Sequence, residues 1–150
     1  MKKFRFSLET VLDYKNQALD ALRAEHGAIL AQVRTQEKVI EDLEAEHREA
    51  DEEFTQRKLE GINILDALNY ETYLRSLERK LQEEHRKLER LRKREEEKRA
   101  QVVEARKETA TLEKLKEHKL EDYRKAEQKD EEQRIEEFVS TTRAMAAMGI

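Results

Sequence analysis

The residues of this chain that could do chemistry are four histidines, His26, His47, His85 and His118, and a large number of carboxylates. Glu44 and His47 form a Glu-x-x-His, which on a helix places both side chains on one face and supplies half of the ligand set of a helical di-iron site. Such a site needs a second copy and further glutamates on facing helices. No second Glu-x-x-His occurs in the sequence. His26 and His47 fall instead within a helical apolar repeat, where one polar side chain fixes helix register. A Gly-rich phosphate loop is absent, because the three glycines are single and far apart. No serine sits in a nucleophile-elbow context. Acid–base work by the carboxylates needs a concave pocket that tunes their pKa values. The expectation is a non-enzyme with no catalytic residue, no metal ligand, no cofactor and no small-molecule substrate.

The aromatic residues carry more information. Tyr70, Tyr73 and Leu77 cluster in the middle of the chain. Tyr70, Leu74, Leu77 and Leu81 suffice for a packing seam, which leaves Tyr73 as an additional apolar group beside it. Two readings stay open for it: packing under a turn, or an exposed anchor for another protein. Phe4, Phe6, Tyr123, Ile135 and Phe138 form a second apolar group that a hairpin would bring together.

The elements that must position these residues follow from composition. Of 150 residues, 44% are charged and 5% aromatic, with no Pro, Trp or Cys. An ordinary globular domain carries about 25% charge, and sheets need turn clusters of Gly, Pro, Asn and Asp that are missing here. Long charged helices remain. The absence of Cys excludes a disulfide framework and a thiolate metal site. Met1–Phe6 holds basic residues with no apolar run behind them, so no signal peptide is expected, and the reading is of a cytoplasmic protein. The net charge of −4 mixes 31 basic with 35 acidic residues along the chain, which argues against nucleic acid. The run Arg92–Arg99 holds five basic and three acidic residues and reads as a solvated helix face ahead of a contact for an acidic partner.

Ser7 is a candidate N-cap, with Phe6 and Val11 spaced for a hydrophobic staple. From there a 4–3 rhythm runs through Leu8, Leu12, Lys15, Leu19, Leu22, His26, Ile29, Val33, Gln36, Ile40, Leu43, His47, Ala50 and Phe54. Its period of 3.5 predicts a left-handed supercoil. The rhythm breaks at Gly61, which can end a helix in a left-handed cap. Asn63, Asp66 or Asn69 can cap the next helix, and the apolar residues of the weakly charged stretch 61–69 are expected to fold over the turn. A second rhythm runs through Tyr70, Leu74, Leu77, Leu81, Glu84, Leu88 and Leu91. It weakens over 92–99, returns at Val102, Ala105, Thr109 and Leu112, and is less regular at Leu115, Leu120 and Tyr123. Pairs such as Glu83–Lys87 and Glu95–Arg99 lie at i,i+4 in the favourable order. The expected fold is all-α: two long helices in an antiparallel coiled-coil hairpin. It forms a single domain over 1–150, with helix one at about 7–60, a turn at about 61–68, helix two at about 69–138 and a frayed tail at about 139–150. At 1.5 Å per residue these helices are roughly 80 and 105 Å long. A parallel dimer with a mere stutter at Gly61 is the competing arrangement.

The opening Phe4-Arg5-Phe6-Ser7-Leu8-Glu9-Thr10-Val11-Leu12 resembles the start of the FliJ family, small helical proteins of the bacterial flagellar export apparatus. Many members begin with an F-x-F-x-L-x-x-V-L pattern. Asn69–Leu77 is similar to the family's aromatic segment past the turn, and Leu112–Glu117, Tyr123-Arg124 and Arg134–Phe138 fit its end. The resemblance covers nearly the whole chain. It implies a hairpin similar to the stalk of rotary ATPases and no enzyme activity. It also implies three kinds of partner: the hexameric export ATPase, whose assembly and activity the protein promotes, the membrane export gate, and export chaperones. The location implied is peripheral, on the inner face of the cell membrane at the flagellar base, held there only through protein partners. Carried over by motif, Tyr73 and Leu77 match the gate-binding positions, with Tyr70 and Leu74 beside them. Lys80 and Glu84 stand where some members have small or His residues, and His85 is displaced by one from that His. The ATPase-facing group implied is Phe6, Leu8, Leu12, Leu112, Leu115, Lys116, Tyr123 and Arg124. The alternatives are a generic coiled-coil scaffold or dimeric adaptor, and a stalk protein of a related secretion system.

Overall fold

A computed structural model describes residues 2–149. Met1 and Ile150, the ends of the expected domain and tail, lie outside the described residues. The fold is all-α: helix α1 spans Glu9–Glu60 and helix α2 spans Ile64–Ala147. The two helices pack against each other as a helical hairpin, so the chain reverses at Gly61 rather than stuttering there. No strand occurs among the described residues.

The turn is shorter than the sequence suggests. Gly61 takes φ = 102°, the left-handed cap that only glycine adopts without strain. Asn63 then caps α2: its Oδ1 accepts from the Asp66 backbone N–H at 2.8 Å. One residue at each end of a three-residue link therefore does the work expected of 61–68. The helix begins at Ile64, and its first turns expose what was expected to fold inward. Ile62 and Ala67 do pack inward, but Leu59, Ile64, Leu65 and Leu68 are exposed. At the other end α1 starts two residues after Ser7, closed by Glu9 N–H donating to the Phe6 carbonyl at 3.1 Å. Phe6 is buried while Val11 is exposed. The tail expected to fray is helical to Ala147, in keeping with the strong helix formers Ala144, Met145, Ala146 and Ala147.

The chain divides into two compact units, one of residues 1–19 with 104–150 and one of residues 20–103. In the second unit the buried residues Ile29, Val33, Ile40, Ala50 and Phe54, which keep the 3.5-residue spacing, belong to α1, and Leu74, Leu77 and Leu88 belong to α2. Val33, Ile40 and Leu88 form one cluster with Leu81 and Leu91 against it. Ala50, Phe54 and Leu74 form another under Ile62, Ala67 and Tyr70. Cross-helix pairs such as Glu25–Lys98, Glu37–Arg92 and His47–Glu78 run in opposite order along the chain, so the segments are antiparallel. In the first unit Phe6, Leu12, Leu19 and Thr109 are buried, and Lys15–Glu108 and Glu9–Lys116 again run in opposite order.

The core is one residue deep, so single truncations there weigh heavily. Leu77, 1% exposed, has no room to be replaced by solvent: Leu77→Ala should cost about 2–4 kcal/mol, read from urea unfolding midpoints. Thr109 is buried with its Oγ1 unbonded. Thr109→Val keeps the shape and removes the unsatisfied hydroxyl, so the same measurement should show a gain of about 1 kcal/mol.

Candidate interaction surfaces

The tyrosine cluster lies in the unit of residues 20–103, just past the turn. Tyr70 stacks flat on Phe54, with ring centroids 5.0 Å apart and planes 2° from parallel. Arg57 Nη1 donates to Tyr70 Oη at 3.2 Å, and Lys58 Nζ sits 4.2 Å over the Phe54 ring. Tyr73 Oη donates to a Glu46 carboxylate oxygen. That bond to an anion, then partial burial, pushes the Tyr73 phenol above its ordinary value. Arg57, Asp66, Asn69, Tyr70 and Tyr73 line an open cavity of about 310 Å³. Of the four residues expected to meet a gate protein, Leu77 and Leu74 are buried at 1% and 9% exposure, Tyr70 is half-buried, and Tyr73 is 43% exposed. The two leucines belong to the packed seam, and Tyr73 is the most exposed of the four.

The expected ATPase-facing group lies in the unit of residues 1–19 with 104–150. Phe6 and Leu12 are buried, and Leu8, Leu112, Lys116 and Tyr123 are half-buried. The phase of α2 differs here from the sequence reading: Lys116 takes the seam position and forms a 2.8 Å ion pair with Glu9, while Leu115 turns outward. Arg124 is exposed. Tyr123 packs its ring 5.6 Å from Phe4, and its hydroxyl donates to the Lys2 carbonyl. Leu115 and Arg124 are thus the exposed members of the group, and Phe6 and Leu12 the buried ones.

Polar layers interrupt the seam of the second unit. His26 Nε2 lies 2.9 Å from Glu95 Oε1, both side chains less than one-fifth exposed. His47 faces Glu78 at 3.3 Å, and Glu44 faces His85 at 3.9 Å. Glu95 also meets Arg99 at 3.8 Å along the helix, as its spacing predicts, whereas Lys87 pairs with Glu84 rather than Glu83. Glu95 and Lys98 are half-buried seam residues. The sequence rhythm weakened there because a polar seam position looks like surface; the partners His26 and Glu25 supplied the missing signal. Glu84, set beside the gate-binding positions by resemblance, belongs to the seam as well. Gln36 Nε2 donates to its backbone carbonyl at 3.0 Å and to its carboxylate, whereas Lys80 is exposed.

The Gln36 bond, and after it the Lys87 bond, hold the Glu84 carboxyl below its ordinary value of 4.5. A carboxylate depressed by folding contributes stability above its unfolded pKa and loses it as pH falls through the folded one. Glu84→Gln should therefore lose less stability than the parent chain between about pH 5 and about pH 3, compared by urea midpoints at each pH.

A family model described as flagellar FliJ protein matches residues 4–146. No curated protein and no solved structure gave a significant match. With the match covering all but a few residues at each end, the chain belongs to the flagellar FliJ family.

Proposed function

We propose that this component of the flagellar export apparatus acts as the stalk of the export ATPase and as its link to the membrane export gate and to export chaperones. The FliJ family is a non-catalytic export component, and its export role suggests a location at the flagellar base. No helix among the described residues is long and apolar enough to cross a membrane. The observation that carries the reading is the division of labour on each surface. Buried side chains fix the backbone, while a few large groups stand free: Leu115 and Arg124 on one, Tyr73 on the other. Leu115, Lys116, Tyr123 and Arg124 of α2, with Leu112, Phe6, Leu8 and Leu12 behind them, bind the ATPase ring. Tyr73 and Tyr70, supported by Leu74 and Leu77, bind the gate. A single helical hairpin meets the subunits of a symmetric ring unequally, so its contacts lower the energy of one ring state relative to another.

The test is ATP hydrolysis and hexamer formation by the cognate export ATPase, with and without the full chain. The parent should stimulate both, and Leu115→Asp should remove most of the stimulation while leaving helical content intact. Tyr73→Ala should weaken gate binding about tenfold, as loss of an aromatic anchor does, and leave ATPase stimulation unchanged. No stimulation and no co-elution by the parent chain would replace the stalk reading with that of a generic scaffold.

A further inference from the structure

The last turns of α2 carry an apolar face that the seam does not use. Ile135, Phe138, Val139, Met145 and Met148 are 58%, 72%, 40%, 51% and 74% exposed. Ile135, Phe138, Val139 and Met145, with Thr142, fall on one side of the helix, within an arc of about 120° at 100° per residue, and Met148 follows just past the helix end. They are out of phase with the seam of their own unit. Stepped forward from Thr109, Leu112, Lys116 and Tyr123 at the 4–3 spacing, the seam would continue through Ala126, Asp130, Gln133, Glu137 and Ser140, all small or polar. The apolar face is therefore not a stripe waiting for more of α1. The polar bonds described along it, Asp130–Arg134 at 3.5 Å and Thr142 Oγ1 to the Phe138 carbonyl at 2.8 Å, stay within the helix.

We infer that this face is a docking helix for a protein groove that is apolar at its floor and rimmed by Lys or Arg. Anchors at Ile135, Phe138, Thr142 and Met145 have the i, i+3, i+7 spacing by which a helix lies in a groove. The charge selects the rim. Residues 130–137 hold five acidic side chains against Arg134, whereas 138–149 hold only Arg143, so a complementary groove is basic beside the first turn of the stripe. The same acids repel an anionic lipid surface. A second copy fits poorly: the stripe spans about two heptads where a stable coiled coil sustains about three or four, and its acidic flank would meet the same acids of the other copy. None of these residues is among those assigned above to the ring or the gate, so the inference stands apart from that reading.

The experiment places a photoreactive phenylalanine analogue at Phe138 of the full chain, cross-links it in cells, identifies the attached protein and the attached peptide by mass spectrometry, and then titrates that purified protein against the full chain. The inference requires a cross-linked surface that is apolar with basic neighbours. It also requires at least a tenfold loss of affinity in Phe138→Asp with helical content unchanged, and several-fold weaker binding when salt rises from about 50 to about 500 mM. A cross-link to a second copy, with sedimentation equilibrium showing a dimer that Phe138→Asp dissociates, would overturn it. So would a lipid adduct, no protein adduct, an adduct on a surface without basic residues, or salt-insensitive binding.

Discussion

Each helix of a hairpin has one stripe to bury and one partner to bury it against. That constraint governs the rest of the structure. Apolar residues spaced at 3.5 are consumed by the seam, and the other side chains must live in water, which is why so much of the sequence is charged. Where the described groups titrate away from their ordinary range, as at Lys15, Lys38, Arg57, Tyr73 and Glu84, the largest cause is a hydrogen bond to one neighbour.

The same constraint explains the polar layers. A purely aliphatic seam tolerates slippage by a heptad, because one Leu–Ile contact resembles the next. His26 against Glu95 and Gln36 against Glu84 have no equivalent partner one heptad away in either direction. Sliding α2 by seven residues would set His26 opposite Leu88 or Val102, and Gln36 opposite Leu77 or Leu91. Each slip would leave a half-buried polar group facing an aliphatic one. The layers weaken the apolar seam locally and make its register unique.

Much of this was legible in the sequence, because a seam is a periodic object. All fourteen residues of the first rhythm, from Leu8 to Phe54, are buried or half-buried, and so are Tyr70 through Leu91 in the second. Legibility failed where periodicity and polarity disagree. Glu95 and Lys98 keep the phase without being apolar, and Leu115 is apolar without keeping it, its place taken by Lys116. The turn departs from the sequence pattern for another reason. Apolar composition at Ile64, Leu65 and Leu68 suggested burial, but two short devices, the left-handed Gly61 and the Asn63 cap, close the link within three residues and start α2 before those side chains can turn inward. For the interaction surfaces the sequence could name the neighbourhood but not the exposed member: Leu77 and Tyr73 look equally available until the seam claims one of them.

Stability and recognition compete for the same few apolar residues. A side chain at 1% exposure, like Leu77, cannot also be an anchor for a partner unless the seam opens, and opening it forfeits a contact that the single-layer core cannot replace. On the proposed function, partners of such a hairpin meet groups that flank the seam. Tyr73 is held by Glu46 yet 43% exposed, and Leu115 lies beside Lys116. Such flanking groups can change without unfolding the chain, whereas seam leucines cannot. The partner-facing surface of a helical hairpin is for that reason the part of its sequence least constrained by its own fold, and its chemistry is set by what it has to meet.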